Sequence, residues 1–116
     1  MHRVPFITVE DEDPDMIVSF ALGPNAEHSL TLLRTPKYES LLDDWDRGVT
    51  VGGMANQGSD RELLTSLRWL QDRAVLTTDK STYLLDLSDV DPEEVDEAKL
   101  LLAKMNFDNR FSIHAA

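Results

Sequence analysis

A succession of short apolar runs, each ended by a turn signal, constrains this chain more than any other feature. Val4 to Glu10 (V-P-F-I-T-V-E) is rich in β-branched and aromatic residues and predicts a strand. Pro5 places its start at an edge or at the first strand position. Glu10 to Asp15, with Pro14 inside it, reads as an acidic turn into a second run, Met16 to Leu22. Gly23-Pro24-Asn25 is a turn signal, and Ser29 to Arg34 is a third run. Short spacers join the three, so an antiparallel meander is the simplest arrangement. Val49 to Val51, Ala74 to Thr78 and Thr82 to Leu87 read as further strands, with Asp79-Lys80 as the turn between the last two. In the last of these, Tyr83, Leu85 and Leu87 alternate inward against Thr82 and Asp86.

Two segments admit more than one assignment. Thr35-Pro36 can start a helix, with Thr as N-cap and Pro in the first turn. Leu41, Leu42 and Trp45 would then face inward and Gly48 would end it; an irregular loop anchored by Tyr38 and Trp45 is the competing form. Residues 61–70 fit a helix through Leu63, Leu67 and Leu70, or a strand through Leu67 and Trp69. The Gln71-Asp72-Arg73 turn favours the strand. Gly52 to Asp60 reads as a surface loop.

The C-terminal region predicts a helix. Asp91-Pro92-Glu93-Glu94 supplies an N-cap, a first-turn proline, acid at the positive helix end and a capping-box glutamate. Val95, Ala98, Leu101 or Leu102, and Met105 then recur at helical spacing. Asn106 fits a left-handed C-cap with Phe107 folded back on the last turn, and Phe111 and Ile113 allow one more short strand.

Charge bounds the function classes. The 116 residues carry 22 acidic and 11 basic side chains, a formal net charge of -11. Such a field repels nucleic acid and anionic membrane and attracts basic partners. It also suits a high-salt cytoplasm, where screening removes the repulsion among carboxylates. With 41% hydrophobic residues there is enough apolar material for a core, and the length fits one domain, 1–116. There is no cysteine, which excludes disulfides, thiolate metal sites and cysteine nucleophiles and fits a reducing, cytoplasmic setting. No signal peptide or membrane-spanning run is expected.

The motifs that could carry chemistry fall short. Asp11, Asp13 and Asp15 imitate the opening of an EF-hand loop, but Met16 and Leu22 stand where glycine and a bidentate glutamate are required. Gly53 to Asp60 has the glycine spacing of a phosphate loop without its lysine, and Asp60 would repel the phosphates. His2, His28 and His114 lack metal-ligand spacing, and no G-x-S-x-G elbow is present. The acid runs Asp43-Asp44-Asp46, Glu93-Glu94 and Asp96-Glu97 read as solvated faces rather than an acid–base pair. No cofactor or metal is expected.

These observations predict an α+β domain: an antiparallel meander of about five to seven short strands, with the C-terminal helix packed on one face. In size, charge and class the chain resembles bacterial immunity proteins, which block basic toxin nucleases; no motif supports the likeness. The function expected is a non-catalytic, acidic protein-binding module, an inhibitor or adaptor for a basic partner. Asp43, Asp44, Trp45 and Asp46 are its candidate contact residues, an aromatic anchor inside an acidic patch. The competing assignment buries Trp45 in a helix and leaves the aspartates merely wet, and the burial habits of tryptophan favour it. A structural domain that forms homo-oligomers through a sheet edge, its acid serving solubility, is the alternative function.

Overall fold

The computed structural model describes residues 1–53 and 62–115. The strands are β1 (His2–Arg3), β2 (Ile7–Glu12), β3 (Asp15–Leu22), β4 (His28–Arg34), β5 (Thr50–Gly53), β6 (Glu62–Trp69), β7 (Arg73–Thr78), β8 (Thr82–Asp86) and β9 (Ser112–Ala115). A single α-helix among the described residues, α1 (Pro92–Met105), lies between β8 and β9. The α+β class therefore holds, with nine strands among the described residues instead of five to seven. The strand that no local pattern announces is β1; β9 is the short strand that Phe111 and Ile113 allow. Both pair parallel with strands far away in sequence, β1 with β8 and β9 with β6.

The path of neighbouring strands is β1-β8-β7-β6-β5-β4-β3-β2. Its two ends belong to one N-terminal segment. Val4 N–H donates to the Asp86 carbonyl, while the Arg3 carbonyl accepts from Gly23 at the end of β3. The sheet thus curls back on itself through residues 3–6. β6 is its pivot: Glu62 and Leu63 pair with β5, whereas Ser66 to Trp69 pair with β9 along the same edge. A register shift between Leu64 and Ser66 marks the bend.

The β2–β3–β4 meander and the β7–β8 hairpin stand as expected. The acidic turn is shorter than the reading of Glu10 to Asp15. Glu12 pairs with Asp15, so only Asp13 and Pro14 remain in the turn. Glu10, Asp11 and Glu12 are all exposed, so the end of β2 carries its carboxylates without burying them. Residues 62–69 form a strand, as the turn after them favoured. Of the Gly52 to Asp60 loop, Gly52 and Gly53 belong to β5, and residues 54–60, with the phosphate-loop match on them, lie outside the described residues.

α1 begins as its sequence dictates: the Asp91 carboxylate accepts from Glu93 N–H at 2.9 Å, and Pro92 fills the first turn. Glu94 does not complete a capping box. Its Oε1 accepts from Ile7 N–H at 2.8 Å and ties the helix start to β2. Ala98, Leu101, Leu102 and Met105 are buried, and the helix packs on β2 and β3. The left-handed residue after α1 is Asn109 rather than Asn106. One buried cluster runs from Val4 through Phe20, Leu32, Leu67, Leu76 and Leu85 to Met105 and Phe111. No described helix is long and apolar enough to cross a membrane.

Candidate functional site

The segment from Thr35 to Gly48, between β4 and β5, carries two exposed aromatics, Tyr38 and Trp45. It is neither a continuous helix nor a shapeless loop. Pro36–Leu41 and Asp44–Asp46 form two 3₁₀ turns separated by extended Leu42 and Asp43. The helix fails for local reasons. The Thr35 hydroxyl donates to Asp15 Oδ1 at 2.7 Å instead of capping the turn. Asp43, Asp44 and Asp46 are poor helix formers whose carboxylates compete for backbone groups. Gly48 closes the segment at φ +129°, a conformation that favours glycine.

The segment points its large apolar groups outward. Trp45 is 73% exposed, Leu41 81% and Tyr38 52%. This overturns the helix that would bury Leu41 and Trp45. The ridge stands between two surface hollows that share Gly48. One, of about 320 Å³, is lined by Leu33, Tyr38, Leu41 and Leu42; the other, of about 370 Å³, by Trp45, Leu63, Thr65, Asp79 and Arg110. Asp43, Asp44 and Asp46 flank Trp45 in the chain, and the Asp44 side chain is largely in water.

Beneath the ridge lies an ionic relay. Arg34 ends β4 on its inward face and is 1% exposed. Its guanidinium donates from Nε and Nη2 to the Glu39 carboxylate, each at 2.8 Å. Nη1 donates to the Met105 carbonyl at 2.7 Å, and Nη1 and Nη2 hold Asp108 at 2.8 and 2.9 Å. All the donors of the fork are thus engaged, and the Phe107 ring covers the guanidinium at 4.1 Å. The contact that Phe107 makes is with Arg34. Burial by itself would lower the Arg34 pKa; the bonds to Asp108 and Glu39 outweigh it and hold the pKa above its ordinary value. The Arg34 hydrogen bonds, joined by those from Arg110, keep Asp108 well below the usual carboxylate range.

Arg110 carries the relay outward. Its Nε donates to Asp108 Oδ2 at 2.6 Å, Nη1 to the Asp44 carbonyl at 2.7 Å and Nη2 to Asp44 Oδ1 at 2.7 Å. Arg47 adds a clamp, donating to the Leu42 carbonyl from Nε and Nη2. The sequence reading brought Asp43, Asp44, Trp45 and Asp46 together but missed Arg34, Glu39, Asp108 and Arg110. One signal was present: Leu30, Leu32 and Arg34 share a strand face, and an arginine on an inward face requires buried acceptors.

The other sequence candidates do not assemble into chemistry. Asp11 pairs with Lys104 at 2.6 Å, and Asp15 holds Thr35. With Asp13 they rim a hollow of about 380 Å³ floored by Met16, Pro36 and Phe107. The Glu27 carboxylate accepts from Asn25 N–H, closing the turn ahead of His28. Glu62 is buried and accepts from Thr78 and from Tyr83, whose hydroxyl burial and this bond push above its ordinary pKa. Among the described residues no three His, Asp or Glu side chains converge as a metal site. Compared with protein-family models, with curated proteins and with solved structures, the chain matches none of them.

Proposed function

We propose that this protein is a non-catalytic binding module for a basic protein, of inhibitor or adaptor type, with Trp45 as its anchor. The observation that carries the reading is the exposed Trp45 indole on a 3₁₀ turn among three aspartates. An indole left in water forgoes a large apolar burial that a partner's surface would restore. Tryptophans of this kind concentrate binding energy at interface centres. Asp43, Asp44 and Asp46 supply the field that speeds encounter with a cationic surface, and the net charge of -11 extends it.

The test is capture from the native host's lysate followed by kinetics with the captured protein. The expected ligand is a single basic protein that high salt releases. Trp45→Ala should weaken it by about 2 kcal/mol or more, mainly through faster dissociation. The Asp43→Asn, Asp44→Asn, Asp46→Asn triple variant should slow association at low salt. An unchanged association rate in the triple variant would sink the electrostatic reading. A dimer that ignores salt in light scattering would favour the oligomer-forming alternative.

A further inference from the structure

We propose that Arg110 is the positioning residue of the Trp45 anchor, holding the turn in one orientation before any partner arrives. The functional half of this inference rests on the binding role of Trp45 just given. The Asp44–Asp46 turn has no strand pairing, and two backbone hydrogen bonds close it, Asp46 N–H to Asp43 and Arg47 N–H to Asp44. Arg110 grips the residue before Trp45 at both its carbonyl and its carboxylate. A planar guanidinium can do this and still engage Asp108 through Nε, whereas an ammonium cannot span the three acceptors in one fixed geometry.

The base of the grip is itself ordered. Asp108 is held by the fully buried Arg34. The loop carrying Arg110 is closed by a reciprocal pair: Asn106 Nδ2 donates to the Phe111 carbonyl, and Phe111 N–H donates to Asn106 Oδ1. Asn109, at φ +55°, turns the chain between Asp108 and Arg110, a backbone state that asparagine tolerates. The Arg110 stem lies over Gly48, where a Cβ would meet Arg110 Cδ at 3.5 Å. The outer end of the relay therefore has a rigid mount, and the anchor on it is pre-ordered. A partner then meets an indole whose ordering cost is already met.

The experiment is ¹⁵N relaxation of the full chain, reading the Trp45 indole N–H and the amides of residues 44–46, with Trp45→Phe used to assign the indole signal. The native turn should be as rigid as the β3 and β4 amides. Arg110→Ala and Arg110→Lys should both loosen the turn while β3 and β4 stay unchanged, and Asp44→Asn, which keeps the carbonyl acceptor, should loosen it less. Against the captured basic protein, Arg110→Ala should lose roughly two- to tenfold in affinity, the cost of ordering one side chain and its turn. A native turn that is already mobile, or one that Arg110→Ala leaves rigid, overturns the positioning role. A loosened turn with unchanged affinity overturns its link to binding. If Trp45→Ala itself leaves capture intact, the binding reading fails, and the relaxation data alone decide the mount.

Discussion

Arg34 shows how much one residue can commit a fold. A guanidinium in an apolar interior is unfavourable unless every donor finds an acceptor, and here Glu39, Asp108 and the Met105 carbonyl provide them. Removing the Asp108 charge leaves Glu39 as the one carboxylate on Arg34 and weakens two of the hydrogen bonds of a buried guanidinium. Asp108→Asn is expected to cost about 3 kcal/mol at neutral pH, read by urea unfolding. The pH dependence follows from the depressed carboxyl. Its folded pKa lies below its unfolded value of about 3.9, so its contribution is complete above that value and is lost as pH falls through the folded pKa. The gap between the native chain and Asp108→Asn should stay constant from pH 7 to about pH 5 and narrow below about pH 4. A gap that widens in acid would contradict the assignment. The exposed Arg3–Asp89 pair lacks this leverage, since water screens both partners.

At the scale of elements, α1 and the Thr35–Gly48 segment are opposites. Both open with a capping residue followed by proline, Asp91-Pro92 and Thr35-Pro36. In α1 the cap is made, and apolar residues at helical spacing find β2 and β3 to pack on. In the other segment Thr35 turns to Asp15, and the next stretch lacks a stripe that would bury enough surface to hold a helix. A start signal works only when the face behind it has somewhere to go. Asp91→Ala should therefore destabilise the protein by about 1 kcal/mol, measured by thermal or urea unfolding. The substitution should leave the Trp45 turn untouched, because the two elements share no bond through Asp91.

At the scale of the molecule, the Cα radius of gyration of 13.4 Å matches the roughly 13 Å expected of a compact domain this long. Closing the strand path through residues 3–6 leaves few free edges, and those that remain are short or acidic, such as β9 and β2. The net charge of -11 opposes this compactness through self-repulsion. Salt screens repulsion over a distance of about 8 Å at physiological strength and about 3 Å at 1 M. The melting temperature should accordingly rise as NaCl increases toward 1 M, even though exposed pairs such as Lys104–Asp11 weaken. A falling melting temperature would mean that the ion pairs outweigh the repulsion.

The elements with a local cause were legible in the sequence. Alternating apolar runs and tight turns determine the meander and the Asp79-Lys80 hairpin, and a capped apolar stripe determines α1; for residues 61–70 the following turn only tipped the balance from helix to strand. The acidic patch with Trp45 at its centre could likewise be named from neighbouring residues. Tertiary structure alone decided β1, the parallel partners that β1 and β9 take, the closure of the sheet at residues 3–6 and the acceptors that surround Arg34. It alone turned Trp45 outward, because the relay that holds its turn joins residues 34, 39, 44, 108 and 110. Periodicity reports which face of an element is apolar; it carries no information on which distant charge will cross the fold to meet another.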